Sequence, residues 1–181
     1  KEIKSKLRIP LNLEIAATNE MLKIAIRHKP NFVCIVPEKR KEITTEGGLN
    51  LEYNQIFLKK IITKLKKNNS RVSLFIEPTI KDIKICNYLG VNGIEFHTGK
   101  LCNLINKKNK FKAELSKLNK AANYASKLGL DVHAGHGLTY KSAKIISKIK
   151  KIKEFNIGHF LIGEAIYIGL PAAIKKFQKI L

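Results

Sequence analysis

Tryptophan is absent from the 181 residues, methionine occurs once (Met21), and cysteine three times (Cys34, Cys86, Cys102). Three scattered cysteines without a CxxC pair cannot form a disulfide framework. They fit a reduced, cytoplasmic setting, with Cys34 and Cys86 as small core residues. No apolar run reaches the roughly 18 residues a membrane span needs. The opening Lys1-Glu2-Ile3-Lys4 has no apolar stretch of the secretory type and no initiator Met, so a fragment or a processed product is expected. Arginine is scarce. Only Arg8, Arg27, Arg40 and Arg71 contribute to the 35 basic residues that, against 14 acidic ones, give a net charge of +21. A nucleic-acid reader relies on arginine for bidentate contacts and interleaves aromatics with its basic runs. Neither pattern occurs, so the lysines are read as solvated faces, with no nucleic-acid or membrane partner. No HExxH spacing is present, and no metal site is expected.

What the chain does have is a 44% apolar composition, enough for one sizeable core. Short apolar runs alternate with amphipathic stretches. Leu11–Ile15, Phe32–Val36, Val72–Ile76, Gly93–His97, Leu130–Ala134 and Phe155–Ile157 read as strands. Helices are expected over 19–28 (capped by Thr18), 54–67, from Pro78-Thr79 to Tyr88, 112–128, 140–150 and 159–168, with a last helix to Leu181. The Lys/Asn-rich stretch 100–111 reads as a mobile loop or a helix start. Six strand–helix units without a hairpin signal imply parallel strands joined by crossover helices. An open doubly wound sheet and part of an eight-unit barrel both fit. A whole barrel takes about 250 residues, so six units here match a barrel without its first two. A Gly158-His159 pair opening a short extra helix favours the barrel, where such a helix start recurrently binds phosphate.

Polar groups at the C-terminal ends of the strands, the ends that face the active site of a parallel barrel, are the candidates for chemistry. Glu14, among apolar neighbours, fits a partly desolvated general base or acid, and equally a strand-edge carboxylate paired with a lysine. His136 lies between Gly135 and Gly137, which permit unusual backbone angles and close substrate approach. A proton donor or phosphate ligand is the favoured reading. Gly137, Gly158 and His159 offer backbone N–H groups to an anion. The loop holding Thr44-Thr45-Glu46-Gly47-Gly48 fits a phosphate site or lid, and equally an ordinary loop. Glu95 and His97, two apart on one strand, share a face.

Taken in order, Leu11-Asn12-Leu13-Glu14-Ile15-Ala16-Ala17-Thr18, Val36-Pro37-Glu38-Lys39-Arg40 to Thr44-Thr45-Glu46-Gly47-Gly48-Leu49, Val72–Ile76, Glu95-Phe96-His97-Thr98-Gly99, Ala134-Gly135-His136-Gly137-Leu138 and Asn156-Ile157-Gly158-His159 resemble the hallmark segments of the pyridoxine 5'-phosphate synthase family. The resemblance spans essentially the whole chain. It implies one (β/α)8 TIM-barrel domain over 1–181, with the first two βα units outside the chain. It also implies an enzyme that condenses 1-deoxy-D-xylulose 5-phosphate with 3-amino-2-oxopropyl phosphate, without metal or cofactor, and assembles as a homo-oligomer, an octamer being expected. On that resemblance Glu14 is the proton acceptor and His136 the proton donor, while Thr44, Gly137, Gly158 and His159 bind substrate. Two positions depart from the family pattern: His133 stands where Asn is usual, and Glu164 where Arg is common. The competing reading is another phosphate-binding barrel, an isomerase or an aldolase. An aldolase needs a strand-end Schiff-base lysine, and only the loop residue Lys100 offers itself.

Overall fold

The computed structural model describes residues 2–37 and 47–181. Strands and helices alternate along the chain, with parallel neighbours wherever pairing is defined. This is the α/β class that the sequence pattern implies. Two compact units divide within one strand, the first being Lys1–Glu95 and the second Phe96–Leu181.

The first unit runs α1 (Glu2–Lys6), β1 (Asn12–Ala16), α2 (Asn19–His28), β2 (Phe32–Val36), α3 (Gln55–Lys67), β3 (Arg71–Ile76), α4 (Ile80–Leu89) and the start of β4 (Gly93–His97). β2 lies between β1 and β3. Its Val33, Cys34 and Ile35 are fully buried, as a continuous apolar run covered on both faces should be. Pairing is parallel and unslipped: Glu14 stands opposite Cys34, and Cys34 opposite Ser73. The helices follow from local chemistry. Thr18 Oγ1 accepts the Met21 N–H at 3.1 Å to start α2, and Thr79 Oγ1 accepts the Asp82 N–H at 3.1 Å to start α4, each satisfying a donor the helix itself cannot. Leu58, Ile61, Ile62 and Leu65 of α3 are buried, the 3-4-7 spacing of one helical face, and its lysines face water.

At the N-terminal ends of the strands the loops are stitched by side chains. Asn31 Oδ1 accepts the Leu11 N–H at 3.0 Å. Ser70 Oγ donates to the Pro30 carbonyl at 2.7 Å, and Asn92 Oδ1 accepts the Val72 N–H at 2.9 Å. At the opposite end of β3, Gly48 N–H donates to Glu77 Oε1 at 3.2 Å and Leu49 N–H to the Phe75 carbonyl at 2.8 Å.

The second unit holds the end of β4, then α5 (Gly99–Asn106), α6 (Lys112–Lys127), β5 (Asp131–Gly135), α7 (Tyr140–Ile146), β6 (Glu154–Asn156), α8 (His159–Ile168) and α9 (Leu170–Gln178). β5 pairs with β6 in parallel, Ala134 opposite Phe155. Leu118, Ala121, Ala122 and Ala125 bury the inner face of α6. Thr139 and Ser142 form a reciprocal capping box at the head of α7, closing two open donors at once. Tyr140, Phe160 and Phe177 make an aromatic cluster with centroids 4.4 to 6.1 Å apart, Phe160 meeting both other rings edge-to-face. In α8 no residue is buried, although its sequence is mostly apolar.

Three local details depart from expectation or settle it. Of the two readings left open for 100–111, the helix start holds and the mobile loop does not. Residues 99–106 form α5, whose Leu101, Cys102 and Ile105 are buried, and Lys108 at φ 57° closes it off. The flanking Lys/Asn run hides that short apolar face. The helix expected over 140–150 stops at Ile146. The short helix α1 was not expected.

A methyl group built on Gly48 would stand 2.4 Å from the Ile76 carbonyl carbon and 2.5 Å from the Glu77 nitrogen. Both are backbone atoms and cannot step aside cheaply. Gly48→Ala is expected to destabilise the protein by about 1–3 kcal/mol, the usual range for overpacking, read as a lower urea midpoint with an unchanged slope.

Candidate active site

The unslipped register of the first unit has a chemical outcome. Residues directly opposite one another in parallel strands point to the same side, so Glu14, Cys34 and Ser73 form one polar row across β1, β2 and β3. Glu95 on β4 joins it: Cys34 Sγ donates to Glu95 Oε2 at 3.5 Å. Burial pushes the Cys34 thiol well above its ordinary range, and the negative charges of Glu95 and, more weakly, Glu14 add to this, while a hydrogen bond with Ser73 opposes it. Cys34 is therefore a neutral thiol donor between two carboxylates, not a nucleophile.

The row redistributes what the sequence suggests. Glu14, expected to be partly desolvated, is exposed and lies in the middle of β1. Its apolar neighbours point elsewhere, because side chains alternate along a strand. The buried carboxylate is Glu95, 4% exposed, which sequence reasoning noted only as half of a polar pair. A Glu inside an otherwise apolar strand, Gly-Ile-Glu-Phe-His, was the signal available. Beside β1 and β2 a cleft of 490 Å³ opens, lined among others by Ala17, Val36, Leu51, Asn54 and Phe57.

In the second unit, the segments following β4 and β5 meet. The His97 and His136 rings lie 4.9 Å apart between centroids, tilted by 57°. His97 is buried and His136 exposed, so one ring backs the other while the outer one is open to a solute. His136 has φ 74° and Gly137 φ 76°. A left-handed conformation is natural for Gly137 and costs His136 about 1–2 kcal/mol. Gly99 packs into the same corner. A methyl group there would stand 2.7 Å from His97 Nε2 and 2.8 Å from His136 Cδ2.

Gly158 is the N-cap of α8 and His159 its first residue, both exposed. The first N–H groups of that helix are thus presented outward, the arrangement that attracts anions. Thr44, Thr45 and Glu46 lie outside the described residues. Of the two departures, Glu164 stands 3.8 Å from Lys176 Nζ, so a cation offsets its charge, and Lys176 in turn lies 4.0 Å over the Tyr140 ring. His133 Nδ1 is 3.5 Å from Glu154 Oε1. Among the described residues no group of three or more His, Cys, Asp or Glu is placed to hold a metal ion. Nor is any helix there long and apolar enough to cross a membrane.

The strand–helix alternation with its polar groups on parallel strands defines an α/β protein of barrel-like type. Solved structures share that fold at low sequence identity. RipC from Yersinia pestis superposes with a TM-score of 0.58 at 11% identity, over 94% of this chain and 76% of that one. A xylose isomerase domain protein from Planctomyces limnophilus gives 0.56 at 12% identity, over 97% and 72%. These likenesses speak for the fold alone. The family model of the pyridoxal phosphate biosynthesis protein PdxJ matches residues 1–181, and the chain belongs to that family. It is 52% identical over 173 residues to the pyridoxine 5'-phosphate synthase of Pelagibacter ubique, covering 96% of this chain and 72% of that protein. The Zymomonas mobilis synthase is 51% identical, over 95% and 66%. That of Ehrlichia canis is 49% identical, over 99% and 73%.

The three cysteines are buried and free, and burial raises all three thiols above their ordinary range. The sign follows directly. Below the unfolded thiol's pKa of about 8.5 both states hold the proton. Above it the unfolded chain releases protons that the native state keeps, so stability falls as pH rises. The urea midpoint is expected to drop as pH rises above about 8.5, and Cys34→Ala should make that drop shallower. An equal alkaline slope in the variant would remove Cys34 from this linkage.

Proposed function

We propose that this chain carries the acid–base groups of a pyridoxine 5'-phosphate synthase. The observation that carries the reading is the match to that family along residues 1–181, with close to 50% identity to synthases of several bacteria. The reaction joins 1-deoxy-D-xylulose 5-phosphate to 3-amino-2-oxopropyl phosphate and releases phosphate and water. Closing the ring requires an imine, eliminations and an enolisation, each of which moves a proton. Glu14 is assigned as the proton acceptor: it is exposed, hence reachable, whereas the other carboxylate of its row, Glu95, is buried. His136 is assigned as the proton donor. It is exposed and held by a turn that aims its ring.

Both substrates are anions. The N–H groups of Gly137 and of the Gly158-His159 helix start suit phosphate oxygens, and Thr44 is assigned to substrate from the family resemblance alone. The domain is read as one (β/α)8 barrel, of which this chain supplies six βα units. The 66–73% of its relatives' length that it spans supports that share. A cytoplasmic homo-octamer working without metal or cofactor completes the reading.

In the protein produced from its complete gene, Glu14→Gln should lower turnover by about 10²–10⁴-fold, the usual worth of a positioned acid or base, with the circular dichroism spectrum unchanged. His136→Asn should do the same. The assay supplies both phosphorylated substrates and follows pyridoxine 5'-phosphate by mass. Near-normal turnover in either variant withdraws that residue's role. A folded wild-type protein that makes no product withdraws the synthase reading itself.

A further inference from the structure

α5 braces the loop that carries His136, and it does so from both ends. At its N-terminal end, Thr98 N–H donates to the Gly135 carbonyl at 2.9 Å. The Thr98 hydroxyl reaches two successive carbonyls, Gly135 O and His136 O, each at 2.8 Å. A hydroxyl has one proton, so these contacts form a single three-centre hydrogen bond spanning the peptide that enters His136 and the one that leaves it. Both carbonyls are thereby fixed while His136 and Gly137 hold consecutive positive φ values.

At the C-terminal end, Thr139 Oγ1 donates to Asn106 Oδ1 at 2.9 Å and Lys141 Nζ donates to the Ile105 carbonyl at 2.8 Å. Leu101, Cys102 and Ile105 anchor the helix in the core. Thr98 itself is 1% exposed, and the Cys102 N–H donates to its carbonyl at 2.9 Å. Gly99 completes the device by leaving room for the rings. Gly137 sits so close that a methyl group on it would stand 3.2 Å from Gly99 Cα and 3.2 Å from Cys102 Cβ.

We propose that Thr98 is a positioning residue for the synthase reaction: its hydroxyl, shared between the carbonyls of Gly135 and His136, holds the left-handed turn that sets the His136 imidazole against His97. Gly99 is the second half of the device, since any side chain there displaces both rings. This rests on the reading of His136 as the proton donor. Without the shared proton the two carbonyls lose their common partner and the turn can relax toward the extended backbone a histidine prefers. Relaxation swings the imidazole out of line. A displacement of about 1 Å at a reacting group can cost on the order of 10²-fold in rate.

The test uses the protein from its complete gene. Thr98→Val keeps the shape and removes the hydroxyl, Thr98→Ser restores the hydroxyl, and Gly99→Ala pushes on the rings while meeting only side-chain tips. Two readouts are taken: kcat and KM, and the nuclear Overhauser contact between the His97 and His136 ring protons. Thr98→Val and Gly99→Ala are each expected to lose kcat by about 10²-fold with KM changed little, and to lose the ring contact. Thr98→Ser should keep both. The proposal is overturned if Thr98→Val retains the ring contact, or loses it with kcat unchanged. If Thr98→Val does not fold, Thr98→Ser and Gly99→Ala decide: a folded Thr98→Ser as impaired as a valine variant should be, or a Gly99→Ala of normal kcat, overturns it. A wild-type protein without turnover whose ring contact still depends on the Thr98 hydroxyl would sink the synthase reading and the catalytic part of this proposal, leaving only the turn geometry.

Discussion

Parallel pairing without a slip is the constraint from which the first unit's chemistry follows. A shift of one residue between β1 and β2 would turn every side chain of one strand to the other face, and Glu14, Cys34 and Ser73 would no longer share a row. The register is enforced by burial. Val33, Cys34 and Ile35 are fully covered, so no alternative pairing leaves the apolar set satisfied. The stitching at the N-terminal ends, through Asn31, Ser70 and Asn92, fixes the same register from outside. The row of ionisable groups crosses the middle of these strands.

The second unit solves a different problem. A histidine must leave a strand, turn back and face another ring, and its backbone resists that conformation. The answer is distributed over α5, the Gly135-His136-Gly137 turn and the start of α7. Rigid helices make better supports for a reacting group than loops do, because their own positions are set by packing. Here the support is a helix of eight residues whose three buried side chains suffice to anchor it.

Strand and helix order was legible because the apolar periods are clean. Phe32–Val36 is continuous where burial is two-sided, and 112–128 carries its alanines and leucines on one helical face. Thr18 and Thr79 mark helix starts through chemistry that acts within four residues, so local reading finds them. α5 was legible only as one of two alternatives, a helix start or a loop, because its apolar face is three residues long and sits beside lysines and asparagines. At the site, His136 was legible from its two glycines. The burial of Glu95 and the exposure of Glu14 were not, since both are glutamates in apolar strands. Which one faces water depends on strands distant in sequence. The role of Thr98 was hidden for the same reason: its partners are 37 and 38 residues away.

α8 has a thermodynamic consequence of its own. Its ten residues are mostly apolar yet none is buried, with Ile162, Ile166 and Tyr167 more than half exposed. Heat capacity and denaturant response on unfolding both scale with the surface newly given to water. A helix whose apolar surface is already wet adds little to either. Its exposure therefore changes little on unfolding, while the buried strands account for the curvature of the stability curve. The chain's resistance to heat and its resistance to cold are set in the same few covered residues.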